Sequence, residues 1–334
     1  MLLFTTGLQV SFYKNITEGT MKKFIFKKID AFTEGNSPGN PAGCVRLNST
    51  GDITPDEMQR LAAELKGFVN ETVFLFPENG SVYVRYYSSE CEVDFCGHGT
   101  IAAMYDYIKN TPALLAAATV PIRVKDEILT VYNRIQEDNS VHISAPLPKY
   151  PGTTLTPDII AEALGIDNNH IRPGLPVDMI NGGLNTLLVP VDTLDCCTSI
   201  LPDIASLKDF CIQNDIDIIL VFTDNTAMRE CHYRTRVFAP KFGYLEDPAT
   251  GSGNSALGYY LMKNRLWDGN PLIIEQGRDI RNPNTVRLGT TVSGDTTQVT
   301  FGGSAVVRIE GNYILDKTEE KQVRGTHENT NSSN

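Results

Sequence analysis

The chain has 334 residues, of which 41% are hydrophobic and 21% are charged, and its formal net charge is −11. This length suggests two domains of ordinary globular composition. The acidic balance is unlike the basic field of a nucleic-acid-binding protein, and it argues against an anionic membrane as a partner. No apolar run approaches the ~20 residues that span a bilayer.

The cysteines and histidines show no metal-binding or redox pattern. No two of the seven cysteines have the C-x-x-C spacing, and the five histidines form neither H-x-x-x-H nor H-E-x-x-H. We therefore expect free thiols in a reducing, cytoplasmic compartment. We also expect neither a metal nor an organic cofactor.

The two ends of the chain differ from its middle. Residues 1–20 are mildly apolar but lack a basic start and a small-x-small cleavage site, so they are predicted to be a leader or upstream extension without a role in the fold. Residues 317–334 are polar and predicted to be disordered. A strand is predicted to open at Met21, where apolar residues alternate with lysines.

The predicted elements mix helices with strands. Thr54 and Pro55 have the pattern of a helix start, with a stop at Gly67. In chain order, further strands are predicted at 71–76, 82–87, 120–125, 128–135, 140–145, 186–191, 217–223, 233–238, 285–290, 297–301 and 305–309. Further helices are predicted at 99–110, 158–164, 202–214 and 253–266. Many strands come in hairpin-like pairs, which favours an α+β fold over a doubly wound sheet.

Three prolines between Pro146 and Pro151 mark the best candidate for a domain crossover. We predict an N-terminal domain of residues 21–147 plus 305–316 and a C-terminal domain of residues 148–304.

An internal repeat is the strongest organisational signal. Cys96–Asn110 and Thr250–Asn264 share six of fifteen residues, including two glycines and the closing Lys-Asn, and each follows a strand that carries an arginine, Arg85 or Arg236. The repeat predicts that each half contains a strand, a glycine turn and a helix. The alternative is two ordinary buried helices with small residues at packing positions.

Each glycine turn is predicted to begin a helix, where unpaired N–H groups and the helix dipole favour an anion. The first turn also carries Cys96 and His98, and the second carries Thr250 and Ser252 after Asp247. A histidine and a carboxylate at opposed helix starts could anchor a small acid or share a proton. Alternatively, His98 caps its helix, Asp247 belongs to a turn, and Ser252 is only an N-cap.

Glu71 is the candidate acid/base. It opens the apolar strand that begins Glu71-Thr72-Val73. If that strand end faces the cleft, loss of solvation would raise the pKa of Glu71 into a useful range. The alternative is an exposed carboxylate at the start of a strand.

Four sequence blocks resemble the PhzF-type phenazine-biosynthesis family, which shares the diaminopimelate epimerase fold. They are GNPAGCV (39–45), NETVF (70–74), CGHGT (96–100) and EDPATGS (246–252). The resemblance covers roughly residues 21–316. It implies two similar domains, each a mixed sheet wrapped around a central helix, with the site between them. It also implies a homodimer that needs no cofactor.

The resemblance implies a role for each site residue. Glu71 corresponds to the general acid/base, and His98, Asp247 and Ser252 correspond to the polar residues that hold and polarise a small carboxylic acid. The backbone donors for the substrate carboxylate correspond to Gly97, Gly251 and Ser252. Asn70, where the family commonly has a serine, is also predicted to contact the substrate.

The implied reaction is an isomerisation by one base. Racemases of the epimerase branch use two thiols. Here Cys96 occupies the first thiol position, but Thr250, whose hydroxyl is a poor base, occupies the second. In the family's named reaction, a proton shifts between carbons of trans-2,3-dihydro-3-hydroxyanthranilate. Two other hypotheses stay open: an epimerase or racemase that uses Cys96, and a non-catalytic protein that binds small acids. His98-Gly99 and the RDIRNPNTVRL segment after Gly277 depart from the family pattern, which puts the substrate in question.

Overall fold

The structure is a computed structural model, and it describes residues 21–294 and 296–316. The predictions for residues 1–20 and 317–334 lie outside the described residues. The strands are β1 (Met21–Ala31), β2 (Asn40–Arg46), β3 (Glu71–Glu78), β4 (Ser81–Ser88), β5 (Glu92–Val93), β6 (Thr119–Val124), β7 (Glu127–Arg134), β8 (Ser140–Ser144), β9 (Asp178–Asn181), β10 (Asn185–Pro190), β11 (Ile218–Thr223), β12 (Tyr233–Phe238), β13 (Glu246–Asp247), β14 (Leu272–Gln276), β15 (Asn284–Ser293), β16 (Thr296–Gly303) and β17 (Ala305–Asp316).

The helices of the described residues are fewer and mostly short. They are α1 (Pro55–Glu64), α2 (Gly97–Lys109), α3 (Pro112–Leu115), α4 (Ile135–Asp138), α5 (Pro157–Leu164), α6 (Leu194–Ser199), α7 (Ile204–Gln213) and α8 (Gly251–Lys263). None in the described part of the chain is long and apolar enough to cross a membrane.

The predicted elements are present; most bounds differ by up to three residues, and β17 extends seven residues past its predicted end. Thr54 caps α1 through a capping box with Glu57, as its spacing indicates. Sequence patterns missed β2, β9 and β14 as strands. They also missed the two-residue strands β5 and β13, which are too short to show a hydrophobic period.

The strand pairings repeat between the two halves of the chain. In the first half, β1 and β2 are antiparallel, β2 and β3 parallel, β3 and β4 antiparallel, and β4 and β6 parallel. The strands from β9 to β14 repeat this pattern in the same order. The repeat that the helices suggested therefore extends to the whole topology.

Two further pairings connect distant parts of the chain. β8 pairs with β16, which joins the two halves edge to edge, and β17 returns to pair with β1. The structure thus has the α+β class expected from the sequence. The domain boundaries stay a prediction.

Each half wraps its strands around one long helix. α2 packs against β1, β2, β3, β8 and β17, and α8 packs against β9, β10, β11, β15 and β16. Small residues allow this close packing. A methyl group on Gly258, for example, would lie 3.1 Å from the side chain of Val299. The interpretation of α2 and α8 as buried helices with small residues at packing positions is therefore correct.

The arginines that precede each glycine turn form equivalent ion pairs. Arg85 binds both carboxylate oxygens of Glu92 at 2.8 and 2.7 Å. Arg236 binds both oxygens of Glu246 at 2.8 Å. Each pair joins a long strand to the two-residue strand before the helix, and planar two-point contacts of this kind fix orientation. They therefore hold the approach to each turn in one geometry.

Candidate active site

The two glycine turns meet at one aromatic ring. Phe301, on β16, is buried, and a methyl group on Gly97 would lie 3.2 Å from its ring. A methyl group on Gly251 would lie only 2.3 Å from the same ring. A side chain at Gly251 would overlap the ring, and one at Gly97 would make a tight contact that requires a small shift of the ring. The starts of α2 and α8 are thereby brought together.

Both helix starts offer backbone donors. Gly97 and His98 are the first two residues of α2, and Gly251 and Ser252 are the first two of α8. The N–H groups at these positions have no partner inside the helix. Two helix N-termini, both with partial positive charge and both beside one ring, can bind a carboxylate.

Glu71 begins β3 and presents a buried, unpaired oxygen. Its side chain is 23% exposed, and its Oε2 atom makes no hydrogen bond among the described residues. His98 Nε2 lies 3.3 Å from that oxygen, without the alignment of a hydrogen bond. Burial raises the pKa of the Glu71 carboxyl to about 7. The alternative of an exposed strand-start carboxylate does not hold.

Cys96, and not His98, caps α2. Its Sγ accepts a hydrogen bond from the backbone N–H of Gly99 at 3.4 Å and lies 3.6 Å from His98 Nδ1. Burial, with the nearby Glu71 charge, raises the pKa of the Cys96 thiol well above its ordinary value. Burial lowers the pKa of His98, so its imidazole is neutral at physiological pH.

Asp247 is held by residues from both halves. Asn40 Nδ2, at the start of β2, donates to Asp247 Oδ1 at 2.9 Å, and the Thr250 hydroxyl donates to Oδ2. Burial raises the pKa of Asp247 to about 6, while His98 and these hydrogen bonds lower it. Asp247 is therefore a fixed part of the site and not only a turn residue.

Ser252 and Asn70 occupy less constrained positions. The N-cap position of α8 is Thr250, so Ser252 is not the N-cap, and its side chain is half-buried at the second helical position. Asn70 is exposed directly before Glu71. Ser252 therefore lies on the converging turn, whereas Asn70 lies at the margin of the site.

Sequence reasoning missed a buried amide network behind the second turn. Gln276 accepts from Thr250 N at 3.1 Å and from Asn254 Nδ2 at 2.7 Å, and it donates to the Asp247 carbonyl at 2.9 Å. Asn40, which donates to Asp247, also donates to the Ala249 carbonyl at 2.8 Å. Asn40 lies in the GNPAGCV block, and Gln276 lies directly before Gly277. Neither position shows, from the sequence alone, which groups the amide binds.

Tyr244 was missed as well. It is half-buried three residues before Asp247. Burial raises the pKa of its hydroxyl, and the charges of Asp247, Glu71 and Cys96 add to this rise. A tyrosine in a loop gives no pattern from which this proximity could be deduced.

Known proteins of one family are similar to this chain over most of its length. A sequence model of the phenazine biosynthesis-like protein family (PhzC-PhzF) matches residues 29–311. The chain is 29% identical over 290 residues to "Uncharacterized isomerase YfhB" of Bacillus subtilis, covering 86% of this chain and 97% of that protein. It is 26% identical over 298 residues to the trans-2,3-dihydro-3-hydroxyanthranilate isomerase of Pseudomonas fluorescens, covering 86% and 98%.

One solved structure extends the similarity to three dimensions. The crystal structure of a Bacillus anthracis phenazine biosynthesis protein of the PhzF family superposes with a TM-score of 0.77 at 28% identity, covering 88% of this chain and 100% of that chain. The two chains therefore share one α+β architecture over most of their length.

Proposed function

The chain belongs to the phenazine biosynthesis-like family and is an isomerase, and from this premise we propose that it shifts a proton within a small unsaturated or cyclic carboxylic acid, with Glu71 as the single general acid/base. One observation carries the proposal: the Glu71 Oε2 atom is buried, has no hydrogen-bond partner among the described residues, and lies 3.3 Å from Nε2 of His98 at the start of α2. A carboxyl group with a pKa of about 7 can both accept and return a proton at neutral pH.

The proposed step needs one base and no redox change. The Glu71 carboxylate removes a proton from a carbon beside the unsaturated system, and the C–H electron pair moves into that system as the double bond shifts. The protonated carboxyl then returns the same proton to another carbon on the same face. Negative charge that develops toward the substrate carboxylate is stabilised by the N–H groups at Gly97, His98, Gly251 and Ser252.

The other polar groups hold the substrate. His98 is neutral and donates its one N–H to the backbone carbonyl of Pro41, so its other ring nitrogen can accept a hydrogen bond from the substrate. Asp247, fixed by Asn40 and Thr250, can accept a hydrogen bond from an amino or hydroxyl substituent. Asn70 and Ser252 are proposed as further contacts at the margin and on the second turn.

A two-base epimerase fits the site less well. Such a mechanism needs a second base opposite the first, and the Thr250 hydroxyl donates to Asp247. The Cys96 thiol is protonated and serves as the helix cap. A purely binding protein would have no reason to keep an unpaired buried carboxylate at this place.

Solvent deuterium exchange into trans-2,3-dihydro-3-hydroxyanthranilate and related unsaturated acids tests the proposal. We expect Glu71→Gln to lower the exchange rate by about 10²- to 10⁴-fold, the usual contribution of a general acid/base. Cys96→Ala is the control, and it should retain most of the exchange. Full exchange in Glu71→Gln would contradict the one-base mechanism, and a complete loss in Cys96→Ala would favour the epimerase.

We also propose that the protein works as a homodimer in the cytoplasm. All seven cysteines are free, which suits a reducing compartment. Light scattering on the purified full chain would measure the assembly, and a monomer at micromolar concentration would contradict the dimer.

A further inference from the structure

A thiol, an imidazole and a carboxylate converge beside the helix start of α2. The ligand atoms of Glu71, Cys96 and His98 all lie within 4.8 Å of one another. Glu71 Oε2 is 3.3 Å from His98 Nε2, and that nitrogen is 3.9 Å from Cys96 Sγ. Cysteine sulfur, histidine nitrogen and carboxylate oxygen are each zinc ligands, and open zinc sites use three protein ligands with a free fourth position.

The spacing suits a tetrahedral ion. With bonds of about 2.0–2.1 Å to nitrogen and oxygen and about 2.3 Å to sulfur, tetrahedral angles separate the ligand atoms by about 3.3–3.6 Å. The observed 3.3 Å between oxygen and nitrogen meets this value, and the 3.9 Å between nitrogen and sulfur exceeds it by only a few tenths of an ångström. The third separation, between the Glu71 oxygen and Cys96 Sγ, is within 4.8 Å, so side-chain movements of up to about 1 Å would complete the tetrahedral geometry.

Two further observations point to a cation. Glu71 Oε2 is buried without a hydrogen-bond partner, so it has a lone pair free for a metal. The imidazole of His98 also donates a hydrogen bond to the backbone carbonyl of Pro41. Metal-binding histidines commonly make such a contact through the ring nitrogen that does not bind the metal, because it fixes the ring orientation; the proposed site requires that Nδ1 be the donor to Pro41.

We propose that Glu71, Cys96 and His98 form a binding site for a borderline-soft divalent cation, with Zn²⁺ as the best fit, and that the bound ion inhibits the enzyme. Binding replaces the thiol proton of Cys96, which leaves to the buffer, with a metal–sulfur bond, and the ion stays divalent throughout. The ion occupies the Glu71 carboxylate, which then cannot accept a proton from the substrate. The hard cation Mg²⁺ prefers oxygen ligands in octahedral geometry and should not compete.

A second cluster supplies a matched control. His170, Asp192 and Cys196 also lie within 4.8 Å of one another, but the first two are 47% and 38% exposed. Their Nδ1 and Oδ1 atoms already pair at 3.2 Å, so this cluster has no buried carboxylate oxygen or ring nitrogen without a hydrogen-bond partner, and Cys196 is its one buried residue. This cluster therefore resembles an ordinary surface ion pair beside a thiol.

Cobalt titration of the metal-stripped full chain tests the proposal independently of turnover. We expect one equivalent of Co²⁺ to produce visible bands and a near-ultraviolet thiolate-to-cobalt band, which Zn²⁺ abolishes by displacement and Mg²⁺ does not. The thiolate band should disappear in Cys96→Ser and remain in Cys196→Ser. Glu71→Gln, which conserves shape, should weaken Co²⁺ binding by more than about tenfold, since even outer contacts of a metal site contribute that much.

Three results would overturn the site: no thiolate band in the wild type, a band lost in Cys196→Ser but kept in Cys96→Ser, or unchanged affinity in Glu71→Gln. Circular dichroism checks that each variant is folded. If Cys96→Ser does not fold, Glu71→Gln and Cys196→Ser still decide between the two clusters.

Discussion

At the scale of single residues, burial without a nearby positive charge raises the pKa of the Glu71 carboxyl. Arginine or lysine pairing would lower the pKa of a carboxyl group, as it does for the exposed Glu90 beside Lys66. Glu71 has instead a buried oxygen and a neutral imidazole. Desolvation then dominates, and the group can exchange a proton near neutral pH.

The pH dependence of catalysis should report this group. Because the free enzyme must hold Glu71 as a carboxylate to accept a proton, kcat/KM should rise with pH through about 7 and level off above it. Steady-state kinetics from pH 5 to 9 would measure this. A profile that is flat from pH 5 to 8 would show that another group acts as the base.

Stability should change with pH in the opposite direction. A raised folded-state pKa means that the favourable protonated form is fully present below about 4.5 and is lost as the pH rises through about 7. Glu71→Gln removes this loss. We therefore expect the free energy of unfolding of the variant, relative to wild type, to increase between pH 4.5 and 8 by on the order of 3 kcal/mol.

Urea denaturation of both proteins at the two pH values measures the difference. Glu90→Gln is the control, because that side chain is exposed and its pKa is lowered by Lys66. It should not become relatively more stable at high pH. Parallel pH curves for Glu71→Gln and wild type would contradict the raised pKa.

At the scale of elements, the two helix starts depend on shared contact with Phe301. Gly251 approaches the ring so closely that one methyl group cannot be added without movement of α8 or β16. Cys96 and Thr250, the N-cap residues, are both extended, and they lead the chain into the helices at similar angles. The equivalent arginine pairs on β4 and β12 fix the preceding strands.

Gly251→Ala should therefore lower both stability and activity. We expect a loss of about 1–3 kcal/mol in the free energy of unfolding, the usual cost of overpacking, and a fall in kcat/KM because the donors at α8 shift. Denaturation and exchange assays would measure the two effects. Gly311→Ala is the control, since nothing lies within 4 Å of its added methyl group.

A second substitution can separate strain from loss of flexibility. Phe301→Leu offers a smaller side chain, so stability lost in Gly251→Ala should be partly recovered in the double variant. If the stability losses of Gly251→Ala and Phe301→Leu simply add in the double variant, the contact with Phe301 is not the cause.

At the scale of the whole molecule, the site exists only because two similar halves close on each other. β8 pairs with β16, and Asn40 of the first half donates to Asp247 and Ala249 of the second. These contacts join residues more than two hundred positions apart in the chain. Glu71 and Asp247, the proposed acid/base and the proposed substrate contact, thus come from opposite halves.

Asn40→Ala should weaken this connection. Loss of two buried hydrogen bonds, one of them to a carboxylate, should cost about 1–3 kcal/mol of stability. The turnover rate should also fall, because Asp247 keeps only Thr250 of its two side-chain donors. Asn133→Ala is the control: its amide donates to the carbonyls of Leu114, Leu115 and Ala117, away from the site. It should lose stability but keep its kcat, and equal kinetic losses would contradict a specific role for Asn40.

The duplication of the fold gave the sequence analysis evidence beyond the pattern of single helices and strands. The similarity between the two copies of the glycine turn and helix identified the repeat. The four motifs indicated the family, which the comparisons then confirmed. The predicted roles of Glu71, His98, Asp247, Ser252, Gly97, Gly251 and Asn70 stay predictions. Short strands such as β5 and β13 were beyond reach, since two residues carry no period.

The sequence by itself determined which residue types were available for chemistry, where helices begin and which halves repeat, because these depend on local pattern. Only the tertiary structure decided that both turns pack on Phe301, that Cys96 caps α2, and that Asn40 and Gln276 support Asp247. The pKa of a carboxyl group depends on water excluded by segments far away in the chain. The sequence could therefore mark the two glycine turns and Glu71 as candidates, whereas their packing on one ring and the burial of the Glu71 carboxyl depend on the tertiary structure.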